Sequence, residues 1–135
     1  MDCIFCKIVA GQIPAAKIYE DDDVLAFLDA IPNTKGHALV VPKVHFENIF
    51  DIDDTVLQKV VVTGKHLAMQ MKAVLGAIAI NITSNNGEYA GQIVPHFHLH
   101  VIPRYKDDGL QMYGPREHVQ QPMEELQKIA DKLKG

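Results

Sequence analysis

Residues 95 to 105 read PHFHLHVIPRY. His96, His98 and His100 stand at every second position, with Phe97, Leu99 and Val101 between them. In an extended strand alternate residues project to one side, so the three imidazoles share a face at steps of about 7 Å. The apolar residues then point the other way, into a core. A row of imidazoles is poor core material, because every ring carries polar nitrogens that need partners. Three kinds of chemistry suit it. The blandest is a solvated strand face, and three histidines in strict alternation, out of seven in the chain, argue against that. The second is a metal centre, since imidazole is a common zinc ligand. The third is covalent catalysis. A neutral imidazole, with an ordinary pKa of about 6.5, is already a nucleophile near pH 7. Its neighbours can then donate to the charge that builds on a phosphate. Spacing alone does not choose between metal and nucleophile.

A second constellation lies at the other end of the chain. Cys3 and Cys6 are the only cysteines and have C-x-x-C spacing. Two thiolates make half of a tetrahedral metal site. A redox pair would want a strand before it and a helix after it, and this pair, starting at the third residue, has no strand before it. Two small buried side chains are the plain alternative.

The elements that must position these groups follow from pattern. Residues 5–10 suit one or two helical turns, stopped by Gly11 and Pro14. AKIYED (16–21) and VLAFLD (24–29) read as strands of a hairpin about the acidic turn 20–23. KGHALVVP (35–42) is a third strand, and HFENIFD (45–51) reads as a short helix. The clearest helix starts at an Asp53–Asp54–Thr55 cap. It carries Leu57, Val60, Val61, Gly64, Leu67, Ala68, Met71, Val74 and Leu75 at three- and four-residue spacing, and Gly76 ends it. AIAINIT (77–83) and PHFHLHVIP (95–103) are strands either side of SNNGEYAGQ (84–92), and an amphipathic helix runs from about Pro122 to Leu133. The order β-β-β-α-β-β-α with short connections predicts an α+β fold on an antiparallel sheet.

With 135 residues, a single domain over 1–135 is expected. Hydrophobic residues at 47% and charged residues at 22% fit a folded domain rather than a disordered chain. The net charge of −4 comes with no Lys/Arg cluster, so neither a nucleic acid nor an anionic membrane is an expected partner. Apolar runs are too short to span a bilayer. MDCIFCKIVAG, with Asp2 and Lys7, does not read as a signal peptide, and a cytoplasmic location is the expectation.

HFHLHVI fits His-apolar-His-apolar-His-apolar-apolar at every position, and so resembles the signature of the histidine-triad (HIT) superfamily of nucleotide hydrolases and transferases. IFCKIVAGQIPAAKIYEDDDVLAFLD, KGHALVVPKVH, NNGEYAGQ and IPRY resemble further family segments, so the likeness covers about residues 3–105, with 106–135 less diagnostic. The resemblance implies a five-stranded antiparallel sheet with one long helix and a C-terminal helix, continued across a two-fold homodimer. It implies a nucleotide hydrolase or transferase acting at the α-phosphate of a purine nucleoside 5′-phosphoramidate or related (di)nucleotide. The alternative is a non-catalytic nucleotide- or zinc-binding module.

Carried onto this chain, the family pattern makes His98 the nucleophile and His100 a donor to a phosphate oxygen. Asn85 and Gln92 match polar positions at the phosphate and leaving group, and His37 matches a supporting histidine. By itself His37, after Gly36, reads as an exposed turn residue. Asn85 and Asn86 would pass for turn residues, and Asp29 for a strand end. In the family pattern Asp29 holds the ribose hydroxyls, and Ile4, Phe5, Ile8 and Phe27 form the base slot. Cys3, Cys6, His45 and His96 match the ligands of one structural zinc. Ile93 departs from the phosphoramidate-cleaving branch, which often has a hydroxyl there. His66 and His118 have no motif support and read as surface histidines, and substrate choice is expected to be tuned from Leu110 onward.

Overall fold

The computed structural model describes residues 2–110 and 120–134; His118 lies outside them. The elements run α1 (Ile4–Val9), β1 (Lys17–Glu20), β2 (Val24–Leu28), β3 (Ala38–Pro42), α2 (Asp54–Leu75), β4 (Ala79–Thr83), β5 (Leu99–Arg104) and α3 (Met123–Lys134), with a 3-10 turn at Glu88–Ala90. The five strands form one sheet in the order β1-β2-β3-β5-β4, and every neighbouring pair is antiparallel.

Alternation along the strands sorts their side chains into two layers. Val24, Ala26, Leu28, Ala38, Val40, Leu99 and Val101 face α2 and α3 and join Val60, Leu67, Met71, Leu126 and Ala130 in the larger core. Leu25, Phe27, Leu39 and Val41 face the other way, under α1, with Cys3, Phe5 and Ile8. β2 and β3 are therefore buried along their whole length. The hairpin turn is made by Asp21, whose Oδ1 accepts the amides of Asp23 and Val24 at 2.8 Å each.

The ends of α2 are those expected. The Asp53 carboxylate accepts the Val56 amide, and Gly76 closes the helix in the left-handed region at φ 74. Gly64 is where α2 crosses β5. A Cβ there would stand 2.8 Å from Leu99 Cδ2 and 3.7 Å from Val101 Cγ2. Gly64→Val is expected to cost about 1–3 kcal/mol by overpacking. A lowered urea midpoint checks this, and an unchanged midpoint would contradict the close crossing.

Two expectations are corrected. Residues 45–51 form a loop, not a helix. Asp51 takes the amides of Glu47 and Asn48 at 3.0 and 2.9 Å, and Asn48 Oδ1 takes that of Phe50 at 2.9 Å, so side chains capture amides that a helix would use. The last sheet strand starts at Leu99, not at residue 95. The His96 amide turns back to the Val94 carbonyl and the Phe97 amide goes to the Phe46 carbonyl, while Pro95 has no amide to give. The two-residue alternation nevertheless persists: Phe97 enters the larger core.

Candidate functional site

The face of the sheet under α1 carries two side-chain clusters that meet at the triad. In the first, the rings of His98 and His100 lie 5.0 Å apart, and Phe5 packs edge-on against His98 at 5.2 Å. His98 Nδ1 stands 2.8 Å from the His96 carbonyl oxygen. A carbonyl only accepts, so Nδ1 carries the proton and Nε2 keeps the lone pair. Burial pushes the pKa of His98 down, against the opposing pull of the His96 carbonyl and the Asp29 charge, which favours the neutral ring.

A directional chain of hydrogen bonds continues behind His100. The Asn33 amide donates to His37 Nδ1 at 3.0 Å, which leaves His37 Nε2 as the protonated nitrogen. His37 Nε2 lies 2.9 Å from His100 Nδ1, which therefore accepts, and the proton of His100 resides on its Nε2. Asp29 Oδ2 is 3.7 Å from His37 Nε2. Asp29, His37 and His100 are close enough to form a cation's donor set. The proton that Asn33 fixes on His37 Nε2 makes the set a hydrogen-bond relay instead. His37 is 2% exposed, so its reading as an exposed turn residue is corrected. Gly36 makes that placement possible: its φ is +92, and a Cβ would lie 2.5 Å from Leu75 Cδ1.

A cavity of 480 Å³ opens over these rings, within the range of small-molecule sites. His37, His98, His100, Asp29 and Asn85 line it, as do Ile4, Phe5, Ile8 and Phe27. Asp29 follows β2, with Oδ1 accepting the Ile31 amide at 2.9 Å, and burial raises its pKa above the ordinary aspartate value. Gln92 is placed differently from the other polar candidates and does not line the cavity. Its Nε2 donates to the Glu47 and Val94 carbonyls at 2.7 and 3.0 Å, and its Oε1 accepts the Gly87 amide at 2.8 Å. Ile93 stands at the cavity rim.

Sequence reasoning missed several walls of this cavity. Leu39 could have been found by alternation, since it pairs with His100 across β3 and β5. Met123 and Leu126 come from α3, and nothing local marks them as cavity residues. Asn33 contributes a backbone amide, which carries no residue signature.

The second cluster brings Cys3, Cys6, His45 and His96 together, with all four donor atoms within 4.8 Å of one another. His96 Nε2–H donates to the Pro42 carbonyl at 2.8 Å, so its Nδ1 lone pair faces the cluster. Burial lowers the pKa of His96, which keeps the ring neutral. His96 Nδ1 lies 3.1 Å from His45 Nδ1, 3.4 Å from Cys3 Sγ and 3.5 Å from Cys6 Sγ, and Cys6 Sγ lies 3.3 Å from His45 Nδ1. A tetrahedral zinc has N···N and N···S edges of about 3.3 and 3.6 Å, so these donors fit one with shifts of a few tenths of an ångström. Burial, then the neighbouring Cys3, push the Cys6 thiol up, a cost that a bound cation offsets. Among the described residues the three triad histidines form no common donor set, so a catalytic metal on all three finds no support.

The comparisons with known proteins bear on the family and the fold. The family model described as HIT domain matches residues 10–107. This chain belongs to the HIT-domain family. Protein hit of Bacillus subtilis is 44% identical over 133 residues, covering 98% of this chain and 92% of that protein. A Zn-bound histidine triad family protein from Mycobacterium smegmatis superposes with a TM-score of 0.85 at 35% identity, covering 99% of this chain and 91% of the other. A hypothetical histidine triad nucleotide-binding protein from Sulfolobus tokodaii gives 0.86 at 30%, covering 98% and 89%. The HIT fold thus accounts for the five-stranded sheet, the long helix and the C-terminal helix. Among the described residues, no helix is long and apolar enough to cross a membrane.

Proposed function

We propose that this HIT protein is a nucleotidyl hydrolase or transferase, acting at the α-phosphate of a purine nucleotide through a covalent intermediate on His98. The observation that carries the reading is the tautomer of His98: its Nδ1 proton is held by the His96 carbonyl, and its Nε2 lone pair belongs to a ring on the cavity wall. Nε2 attacks phosphorus, a P–N bond forms, and the bond to the leaving group breaks with its electron pair on the departing atom. Water then attacks the same phosphorus, the P–N bond breaks, and nucleoside monophosphate leaves with neutral His98 restored. His100, its proton placed on Nε2 through His37, donates to a phosphate oxygen. Asn85 contacts the phosphate, and Gln92 holds the 84–92 loop in shape.

Asp29 takes the ribose hydroxyls, and Ile4, Phe5, Ile8 and Phe27 take the base. Asp29→Asn is expected to raise KM for a ribonucleotide by roughly ten-fold or more, from loss of charge-assisted hydrogen bonds. Because burial raises the Asp29 pKa, protonation begins above the usual aspartate range. KM should therefore climb as pH falls toward that range from above. A 2′,3′-dideoxynucleotide, with nothing for the carboxylate to hold, should show neither effect; equal responses of both substrates would count against the assignment.

Ile93 supplies no hydroxyl to the leaving group. A screen of phosphoramidates and dinucleoside polyphosphates with product identification tests the reaction, and nucleoside monophosphate release from none of them would refute it. One observation favours a second reading, a module that binds nucleotide without useful turnover: the Gln92 amide is spent on the backbone of Gly87, Glu47 and Val94. Calorimetric binding without hydrolysis would support that module.

Cys3, Cys6, His45 and His96 are proposed to hold one structural zinc, supported by the donor geometry and by the Zn-bound relative. Zinc there supplies charge that stabilises two thiolates and ties the N-terminus to the triad. We also propose a two-fold dimer joined along the β4 edge. Val61, Val62, Met69 and Val74 on α2 and Ile78 and Ile82 at β4 are exposed apolar residues that such a union would cover.

A further inference from the structure

One segment starts in the four-donor cluster and runs on to the loop beside the triad. His45 is a donor of the four-residue centre. The residues after it make three hydrogen bonds to the 84–92 loop and the start of the triad segment. The Phe46 carbonyl accepts the Phe97 amide, the Glu47 carbonyl accepts Gln92 Nε2, and the Ile49 amide donates to Asn86 Oδ1, each at 2.7 Å. The segment is itself stiff, because Asp51 and Asn48 capture three of its amides. Asn86 also donates to Ser84 Oγ at 3.1 Å, so its side chain braces the 84–92 loop from within while receiving the segment from outside.

We propose that His45–Asp51 is a strap carrying the position of the four-donor centre to the 84–92 loop, with Asn86 as its positioning residue. A shift of the centre moves His45, and with it the two carbonyls and the amide that hold Phe97, Gln92 and Asn86. Asn86 touches no substrate in this scheme. It acts by keeping the loop that presents Asn85 in register with His98. The inference rests on reading 84–92 as the loop that meets the phosphate.

The test uses full-length Zn²⁺-loaded protein, amide hydrogen exchange and steady-state kinetics on a nucleotide that the wild type cleaves. Asn86→Ala should leave zinc content unchanged, speed exchange at Ile49 roughly five-fold by loss of one hydrogen bond, and lower kcat roughly ten-fold through misplaced groups. Asn86→Asp keeps an acceptor for Ile49, and its other oxygen can accept the Ser84 hydroxyl in place of the amide's donation, so it should restore both. In wild type, removing Zn²⁺ with a chelator should speed exchange at Ile49 while α2 amides stay protected. In Asn86→Ala, already open there, removal should add little. Should α2 open as well on chelation, the zinc-loaded Asn86→Ala and Asn86→Asp pair decides. Exchange at Ile49 that ignores Asn86→Ala, or that ignores zinc removal while α2 stays protected, overturns the strap, whatever the activity. Exchange that responds as expected in a protein that cleaves no nucleotide supports the strap and rejects the hydrolase.

Discussion

Replacing His98 with alanine or asparagine is expected to abolish turnover while leaving the protein folded and able to bind nucleotide. Loss of a covalent nucleophile removes the whole pathway, so a fall in kcat of roughly four orders of magnitude or more is the scale to look for. Binding should change far less, because the ribose and base contacts assigned to Asp29 and the apolar slot survive. His98→Asn is the sharper probe, since it retains a polar side chain of smaller size beside Phe5. Rapid denaturing quench of wild type at alkaline pH, where the P–N bond survives, should leave a nucleoside monophosphate attached to His98, detectable as a mass increment on its peptide. Full activity in His98→Ala would end the covalent scheme.

Removing the four-donor centre should have the largest effect on stability. A metal held at about a thousand times its dissociation constant contributes about 4 kcal/mol. For a chain of this size that corresponds to a fall in Tm of about 10–15 °C. Cys3→Ser, Cys6→Ser and chelated wild type should converge on the same lowered Tm, and Zn²⁺ add-back should restore only the wild type. The contribution should fade as the pH is lowered, because protons compete with the metal for thiolates and imidazoles. Wild type purified without chelator that contains no zinc, and whose Tm ignores added zinc, would remove the assignment.

Much of the frame was legible because it depends on periodicity and on local caps. The α2 boundaries followed from Asp53 and Gly76, side-chain and backbone devices that act within one helical turn. The alternation of His96, His98 and His100 against Phe97 and Leu99 held even where ladder bonding stopped. What failed was decided at a distance. HFENIFD has a helical rhythm, yet Asp51 and Asn48 spend its amides, and the loop then serves Phe97, Gln92 and Asn86 far along the chain. Gln92 looks like a ligand residue by motif, but three backbone partners absorb it. His37 reads as exposed because a glycine precedes it; the same glycine lets the turn pack against Leu75, while the buried ring turns in towards His100. Met123 and Leu126 reach the cavity from a helix that local pattern could place but not aim.

The sheet divides the molecule unequally. Two helices of 22 and 12 residues cover one face, and a six-residue helix covers the other, where the cavity lies. Most of the apolar burial that keeps the chain folded thus sits on the side away from the cavity, with only Leu126, Leu28 and Ala16 of that larger core reaching its wall. Substitutions in the slot at Ile4, Ile8 or Leu39 draw on the thinner layer alone. Such a molecule can exchange one substrate for another, residue by residue, without first putting its fold at risk.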